Sequence, residues 1–196
     1  MAVNEYYEKL HLEAFNGDPY MMKDFLLLKE KYSILNAVET GSCIYSTTRW
    51  LGQNFENVYT FEHNQGFYTE YSKKVSDLSN VKTFNTKSVD GLNSIINELE
   101  GPTIFYLDAH WINECPVNDE IEVISKFKYN HVIAIHDFKT NNPEMGYDSF
   151  SYDGGFDLDI NLVYGSLEKI YPEGVKFFYN KKAGGLKRGV IYILPY

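Results

Sequence analysis

With 196 residues, the chain is long enough for one domain with a real core and short of what two ordinary domains need. A net charge of −9 repels a phosphate backbone, which excludes nucleic acid as a partner. The aromatic share of 16%, with 17 Tyr and 13 Phe, is high enough to build either a Tyr-rich core or an aromatic-lined pocket.

Behind Asp18-Pro19, a cap followed by a first-turn proline, Met21, Phe25, Leu28 and Tyr32 recur at helical spacing and predict a leading helix. Residues 34–38 read as a short buried strand, 39–42 as a turn and 46–54 as a helix. The cycle repeats with a strand over 58–61, a helix over 66–78, a strand over 81–84 and a helix over 89–99. A fourth strand over 103–107, a helix over 118–126 and a fifth strand over 132–135 follow. Strands alternating with helices imply a parallel, doubly wound sheet whose ligands lie at the carboxyl ends of the strands.

The tail breaks this rhythm. After a loop over 138–155 and a helix over 160–170, the apolar runs 175–179 and 189–194 are predicted to pair as an antiparallel hairpin. Lys181, Lys182, Lys187 and Arg188 surround its Ala183-Gly184-Gly185 turn and read as solvated decoration. Five parallel strands finished by such a pair resemble the class I methyltransferase sheet more than that of a dinucleotide dehydrogenase. Two cysteines, Cys43 and Cys115, supply no disulfide framework, the N-terminal residues lack a basic-then-apolar leader, and no apolar run approaches a membrane span, so a cytoplasmic protein is expected.

The chemistry concentrates at the predicted strand ends. Gly41 in Glu39-Thr40-Gly41-Ser42 lets the backbone approach a ligand, and the hydroxyls of Ser46 and Thr47 can cap the next helix or face that ligand. Glu39 is placed to hold a cationic amine. Glu62, 23 positions later in Phe61-Glu62-His63, can accept both hydrogen bonds of a ribose diol. Together the two acids indicate an adenosine-containing ligand, and the lack of further glycines at Cys43 and Tyr45 argues against a pyrophosphate cradle. Ser88 is a weaker candidate for the adenine edge.

At the next two strand ends stand Asp108-Ala109-His110-Trp111 and His136-Asp137-Phe138. Alternation sends Asp108 and His110 to one side of an extended chain. A sugar or phenol hydroxyl is a poor nucleophile, so methylating it calls for a general base, an acidifying cation, or both. His110 suits the base, while Asp108 and Asp137 offer oxygen ligands for Mg²⁺ or Mn²⁺. His11, His63 and His131 have no converging partner, although His63 adjoins the Glu62 site. Trp111, Tyr147, Tyr152 and Phe156 could wall an acceptor.

Glu39-Thr40-Gly41-Ser42 with Ser46-Thr47 resembles the opening of small methyltransferases of glycan and polysaccharide gene sets. Leu107-Asp108-Ala109-His110-Trp111, followed by Cys115-Pro116 and Asp119-Glu120, is similar to the segment those proteins carry after their fourth strand. The likeness spans residues 34–138 and extends to FkbM-like and macrocin-type sugar O-methyltransferases. It implies S-adenosylmethionine as cofactor, a metal at Asp108 and Asp137, and a Rossmann-like, mostly parallel seven-stranded sheet with helices on both faces. The first loop is one residue longer than that pattern and lacks its second glycine, and strand five ends His-Asp rather than in two acids.

The chain is therefore expected to form one methyltransferase domain: a leading segment 1–32, a cofactor-binding core 33–138, and an acceptor-side tail 139–196. The expected activity is O-methylation of a sugar hydroxyl on a glycan or glycosylated precursor. A nucleotide-sugar glycosyltransferase holding its metal with Asp108-Ala109-His110 is the rival enzyme, and a Rossmann-like interaction module the rival without chemistry.

Overall fold

The computed structural model describes residues 11–111 and 113–195; the first ten residues of the expected leading segment lie outside these. Helix α1 (Pro19–Tyr32) starts where Asp18 accepts hydrogen bonds from the amides of Tyr20 and Met21, and it stops at Ser33, whose φ of 52° is left-handed. Strands β1 (Asn36–Thr40), β2 (Asn57–Phe61), β3 (Val81–Phe84), β4 (Thr103–Leu107) and β5 (His131–Ile135) alternate with helices α2 (Ser46–Asn54), α3 (Gln65–Tyr71), α4 (Ser88–Ile95) and α5 (Val117–Ile124). A two-residue ladder, β6 (Ser149–Phe150) with β7 (Phe156–Asp157), interrupts the long loop before α6 (Ile160–Ile170) and the final strands β8 (Lys176–Tyr179) and β9 (Ile191–Leu194).

The sheet order is β3-β2-β1-β4-β5-β9-β8. The first five strands run parallel, β9 runs antiparallel to β5, and β8 runs antiparallel to β9. The two tail strands pair as expected, with β9 inserted between β5 and β8. In-register pairs set Thr40 beside both Phe61 and Leu107, and Leu107 beside Ile135. Hence Gly41, Glu62, Asp108 and His136, each the next residue along, leave the sheet at one edge. The order reverses between β1 and β4, which is where an open α/β sheet opens a crevice.

Alternation along β4 explains the two layers. Ile104 and Tyr106 face Phe25 of α1 and Leu51 of α2, while Phe105 and Leu107 face Leu92, Ile121 and Leu167 of α4, α5 and α6. Every residue of β1, β4 and β5 is buried, as strands covered on both faces must be.

Several boundaries shift by a residue or two, and three of the differences are informative. β1 lies two residues further on than 34–38, because Glu39 and Thr40 continue the ladders to β2 and β4 instead of turning. The helix expected over 66–78 ends at Tyr71 and passes into a 3₁₀ turn over Ser72–Val75. α4 stops at Ile95, short of residue 99. Among the described residues no helix is long and apolar enough to cross a membrane.

Candidate active site

The first loop is shaped by backbone constraints. Gly41 sits at φ +81°, and a Cβ there would lie 2.4 Å from the carbonyl oxygen of Asp108. The close approach that requires glycine is thus to the end of β4, and it welds the β1 and β4 ends together. Asp108 reinforces the junction by donating its amide to the Thr40 carbonyl and to Thr40 Oγ1, both at 3.2 Å.

Ser46 and Thr47 do not cap α2. Its cap position is Tyr45, at φ 64° and without a side-chain bond, so the two hydroxyls stand inside the first turn. Thr47 Oγ1 accepts the amide of Phe15 at 2.9 Å. The neighbouring Thr48, missed in the sequence, instead donates to Glu39 Oε2 at 2.5 Å, as does Thr60. Glu39 is 1% exposed with no cation against it in its hydrogen-bond set, and burial pushes its carboxyl up to about 7 despite those two bonds. Glu62 Oε2 accepts the Cys43 amide at 2.8 Å and Oε1 the Asn64 amide at 2.7 Å. Burial still raises its pKa.

Both acids open on a cleft of about 990 Å³, which runs from the first loop to the ends of β4 and β5. Ser42, Ser46, Thr47, His63 and Ser88 line it with Gly41, and so do Asp108, His110 and Asp137. Of the residues named for the cofactor, Thr40 alone stands behind the wall, where its hydroxyl bonds the buried Glu120. Trp111 and Tyr152 line the cleft, whereas Phe156 stacks on Phe150 and Tyr147 lies under the Lys139 ammonium, both away from the described lining. His131 proves structural: its Nδ1 meets the Tyr129 carbonyl and its Nε2 the Tyr171 hydroxyl.

At the β4/β5 end the polar side chains converge. His136 Nδ1 lies 3.2 Å from Asp108 Oδ1 and 3.3 Å from Asp137 Oδ2, and the Tyr106 hydroxyl donates to Asp108 Oδ2 at 2.8 Å. His110 Nε2 is 3.5 Å from Asp137 Oδ2, 3.8 Å from Asp108 Oδ1 and 3.9 Å from Asp148 Oδ2, and it has no hydrogen-bond partner. Arg188 binds Asp137 Oδ1 through Nε and Asp148 Oδ1 through Nη2. Asp137 adopts φ +53°, a left-handed conformation secured by its carbonyl accepting the Asp148 amide.

Burial opposes every charge here, yet the imidazoles of His136 and His110 outweigh it at Asp137 and hold that carboxyl well below the usual range. The reciprocal fields of Asp137 and Asp108 hold His136 well above the ordinary histidine value and raise His110, again against burial. Arg188 corrects the expectation of a solvated turn: its side chain turns into the cleft, where two carboxylates meet it. As site residues Asp148 and Arg188 escaped the sequence reading, and Glu120 entered it only within the resemblance. Arg188 was masked by its lysine neighbours, and nothing periodic marks Asp148 in its loop.

No protein-family model matches the chain, and no curated protein sequence does. Solved structures do. The O-methyltransferase from Bacillus cereus in complex with SAH is 18% identical over 97% of this chain and 87% of its own, with a TM-score of 0.65. The O-methyltransferase TomG from Streptomyces achromogenes, involved in tomaymycin synthesis and solved with SAM, is 14% identical over 89% and 79%, at 0.63. An rRNA methylase from Streptococcus thermophilus reaches 0.53 at 14% identity, over 89% of this chain and 94% of its own. At such identities the likeness speaks for architecture alone, and together with the strand order it gives this chain the class I methyltransferase fold.

Proposed function

We propose that the protein is an S-adenosylmethionine-dependent O-methyltransferase whose acceptor is a sugar hydroxyl of a glycan or glycosylated precursor. The observation that carries the reading is the pair of buried carboxylates, Glu39 and Glu62, on one side of a cleft whose other end holds Asp108, His110 and Asp137. The donor set fits the cofactor. Glu39 is a buried acid short of a countercharge, which a bound ammonium would supply, and each Glu62 oxygen has a lone pair left for one hydroxyl of a ribose diol. Gly41, Ser42, Ser46, Thr47 and His63 would line its length, with Ser88 toward the adenine. When bound, the cofactor supplies an electrophilic methyl group on a sulfonium.

The chain's own work is to place and activate the acceptor. Asp108, His110 and Asp137 stand where the hydroxyl must lose its proton, and their ligand atoms fall within 4.8 Å of one another, a spacing that suits a divalent cation. Two roles are open to His110 Nε2, proton acceptor or metal donor, and they exclude each other. A sugar is favoured over an acyl thioester or phosphorylated acceptor by the charge of the wall: Lys87 and Arg188 are its only Lys and Arg among the described residues, and both are paired with carboxylates. Trp111 and Tyr152 add ring faces for sugar C–H groups.

The glycosyltransferase alternative rests on Asp108-Ala109-His110 alone, and the Glu39/Glu62 pair and the antiparallel β9 and β8 count against it. Calorimetry with S-adenosylmethionine, a nucleoside diphosphate sugar and NAD tests the ligand class, and methyl transfer from labelled cofactor to neutral and phosphorylated sugars tests the acceptor. Binding of the nucleotide sugar alone would refute the proposal, and preference for phosphorylated acceptors would refute its sugar-hydroxyl part.

A further inference from the structure

A cation centre at Asp108, His110 and Asp137 uses only the strand ends, yet a fourth carboxylate reaches the same point. Asp148 comes from the loop after β5, and its place is fixed by the backbone: its amide donates to the Asp137 carbonyl and its carbonyl accepts the Leu158 amide, both at 2.9 Å. Its Oδ2 stands 3.9 Å from His110 Nε2, close to the 3.5 Å and 3.8 Å of Asp137 Oδ2 and Asp108 Oδ1. That nitrogen belongs to a side chain 2% exposed, lines the cleft, and lacks a hydrogen-bond partner. A buried, unsatisfied imidazole nitrogen facing three carboxylate oxygens is a set of donors arranged around a missing acceptor.

Arg188 explains which oxygens face inward. It takes Oδ1 of Asp137 through Nε and Oδ1 of Asp148 through Nη2, which turns Oδ2 of each toward His110. The fork of a guanidinium can hold two carboxylates in fixed rotation, which a lysine ammonium cannot. Donors about 2.1 Å from one ion stand roughly 3 Å apart at right angles and roughly 4 Å apart across it, and the three separations from His110 Nε2 fall between.

We infer that Asp148 is a fourth protein donor to a divalent cation held with Asp108, His110 and Asp137, and that Arg188 is the positioning residue that presents Asp137 and Asp148 to it. The inference rests on the proposed reading of this cleft and gives His110 Nε2 the donor's role. Three carboxylates with one imidazole favour Mn²⁺ over Mg²⁺, because the nitrogen suits the softer ion.

The test is Mn²⁺ titration of the full chain followed by the electron paramagnetic resonance of the free ion, on wild type, Asp148→Asn, Asp148→Glu and Arg188→Lys. Apo melting curves accompany each variant to register folding. Expected are one site per chain in wild type, competition by Mg²⁺ only at higher concentration, and affinity lowered at least 10-fold in Asp148→Asn with partial recovery in Asp148→Glu. Arg188→Lys should weaken binding roughly 10- to 100-fold, as loss of an outer-shell partner does. Asp148→Asn binding within twofold of wild type, at equal apo stability, overturns the fourth donor; Arg188→Lys binding as wild type overturns the positioning role. If Asp148→Asn fails to fold, Asp148→Glu must still shift affinity, and an unchanged value overturns the inference. No Mn²⁺ uptake by a wild-type chain that binds S-adenosylmethionine in EDTA overturns the centre and leaves the methyltransferase reading standing.

Discussion

Replacing Glu62 by Gln isolates the carboxylate's contribution to the cofactor from its contribution to the loop. Both Glu62 oxygens already accept a backbone amide, from Cys43 and Asn64, at 2.8 and 2.7 Å. Truncation to Ala would therefore strand two amides and loosen the first loop, confounding any loss of affinity. Gln keeps the volume and one acceptor oxygen, but its NH₂ cannot accept, so one amide and one ribose hydroxyl lose their partner. A hydrogen bond to a charged group contributes about 1.5–3 kcal/mol, which is roughly 10- to 150-fold in affinity for the cofactor. Isothermal calorimetry with S-adenosylmethionine and its demethylated product gives the number, and thermal melting reports the loop. Binding within twofold of wild type in a normally folded Gln variant would show that Glu62 only caps the loop, and the paired-acid argument would collapse.

As proton acceptor, His110 would make His110→Ala lower kcat by about 10²–10⁴ at saturating cation, and as metal donor it would make the loss recoverable with excess Mn²⁺, cofactor affinity staying near wild type in both cases because the ring lies at the acceptor end; retention of full kcat without added cation removes it from the chemistry. Treatment with EDTA should abolish turnover, with Mn²⁺ or Mg²⁺ restoring it, and undiminished activity in chelator would exclude a required cation. Gly41→Ala should cost about 2–5 kcal/mol, from a left-handed backbone and a Cβ driven into the Asp108 carbonyl, and a melting temperature unchanged within a degree would contradict the packing. His131 is held neutral by burial, so its pKa lies below the ordinary value. The unfolded chain binds that proton first as pH falls, so its contribution is complete above about 6.5 and is lost as pH drops from there toward the folded value. Denaturant titrations from pH 7.5 to 5 should show a shallower decline in His131→Gln, and an identical slope would refute the assignment.

The periodic parts of the fold were legible. The strand 103–107 occurs as read because it is a short apolar run buried on both faces, and the helices 46–54 and 160–170 because one face of each is committed to the core and its spacing shows. β1 was displaced because an apolar-run criterion rejects Glu39 and Thr40, whose burial is made tolerable by Thr48, Thr60 and Glu120, contacts formed across the fold. Strand ends named Asp108, His110 and Asp137 through topology. Asp148 and Arg188 reach the same point from a loop and a turn, and a one-dimensional pattern carries no trace of that convergence. Of the two places open to Ser46 and Thr47, cap or ligand wall, the cap falls away because the helix start is set by the left-handed Tyr45, and both residues line the cleft.

The junction of Gly41 with the Asp108 carbonyl also sets a length scale. One end of the cleft is carried by the loop after β1 and the other by the end of β4, and the spacing between them is fixed by main-chain atoms in contact rather than by rotamers. Packed backbone of this kind is nearly incompressible. Reacting groups displaced by about 1 Å can lose roughly 10²-fold in rate. Under the proposed reaction, Gly41 acts as a spacer whose thickness sets the reach between donor and acceptor, and grafting a bulkier loop there should detune transfer while leaving Asp108, His110 and Asp137 in place.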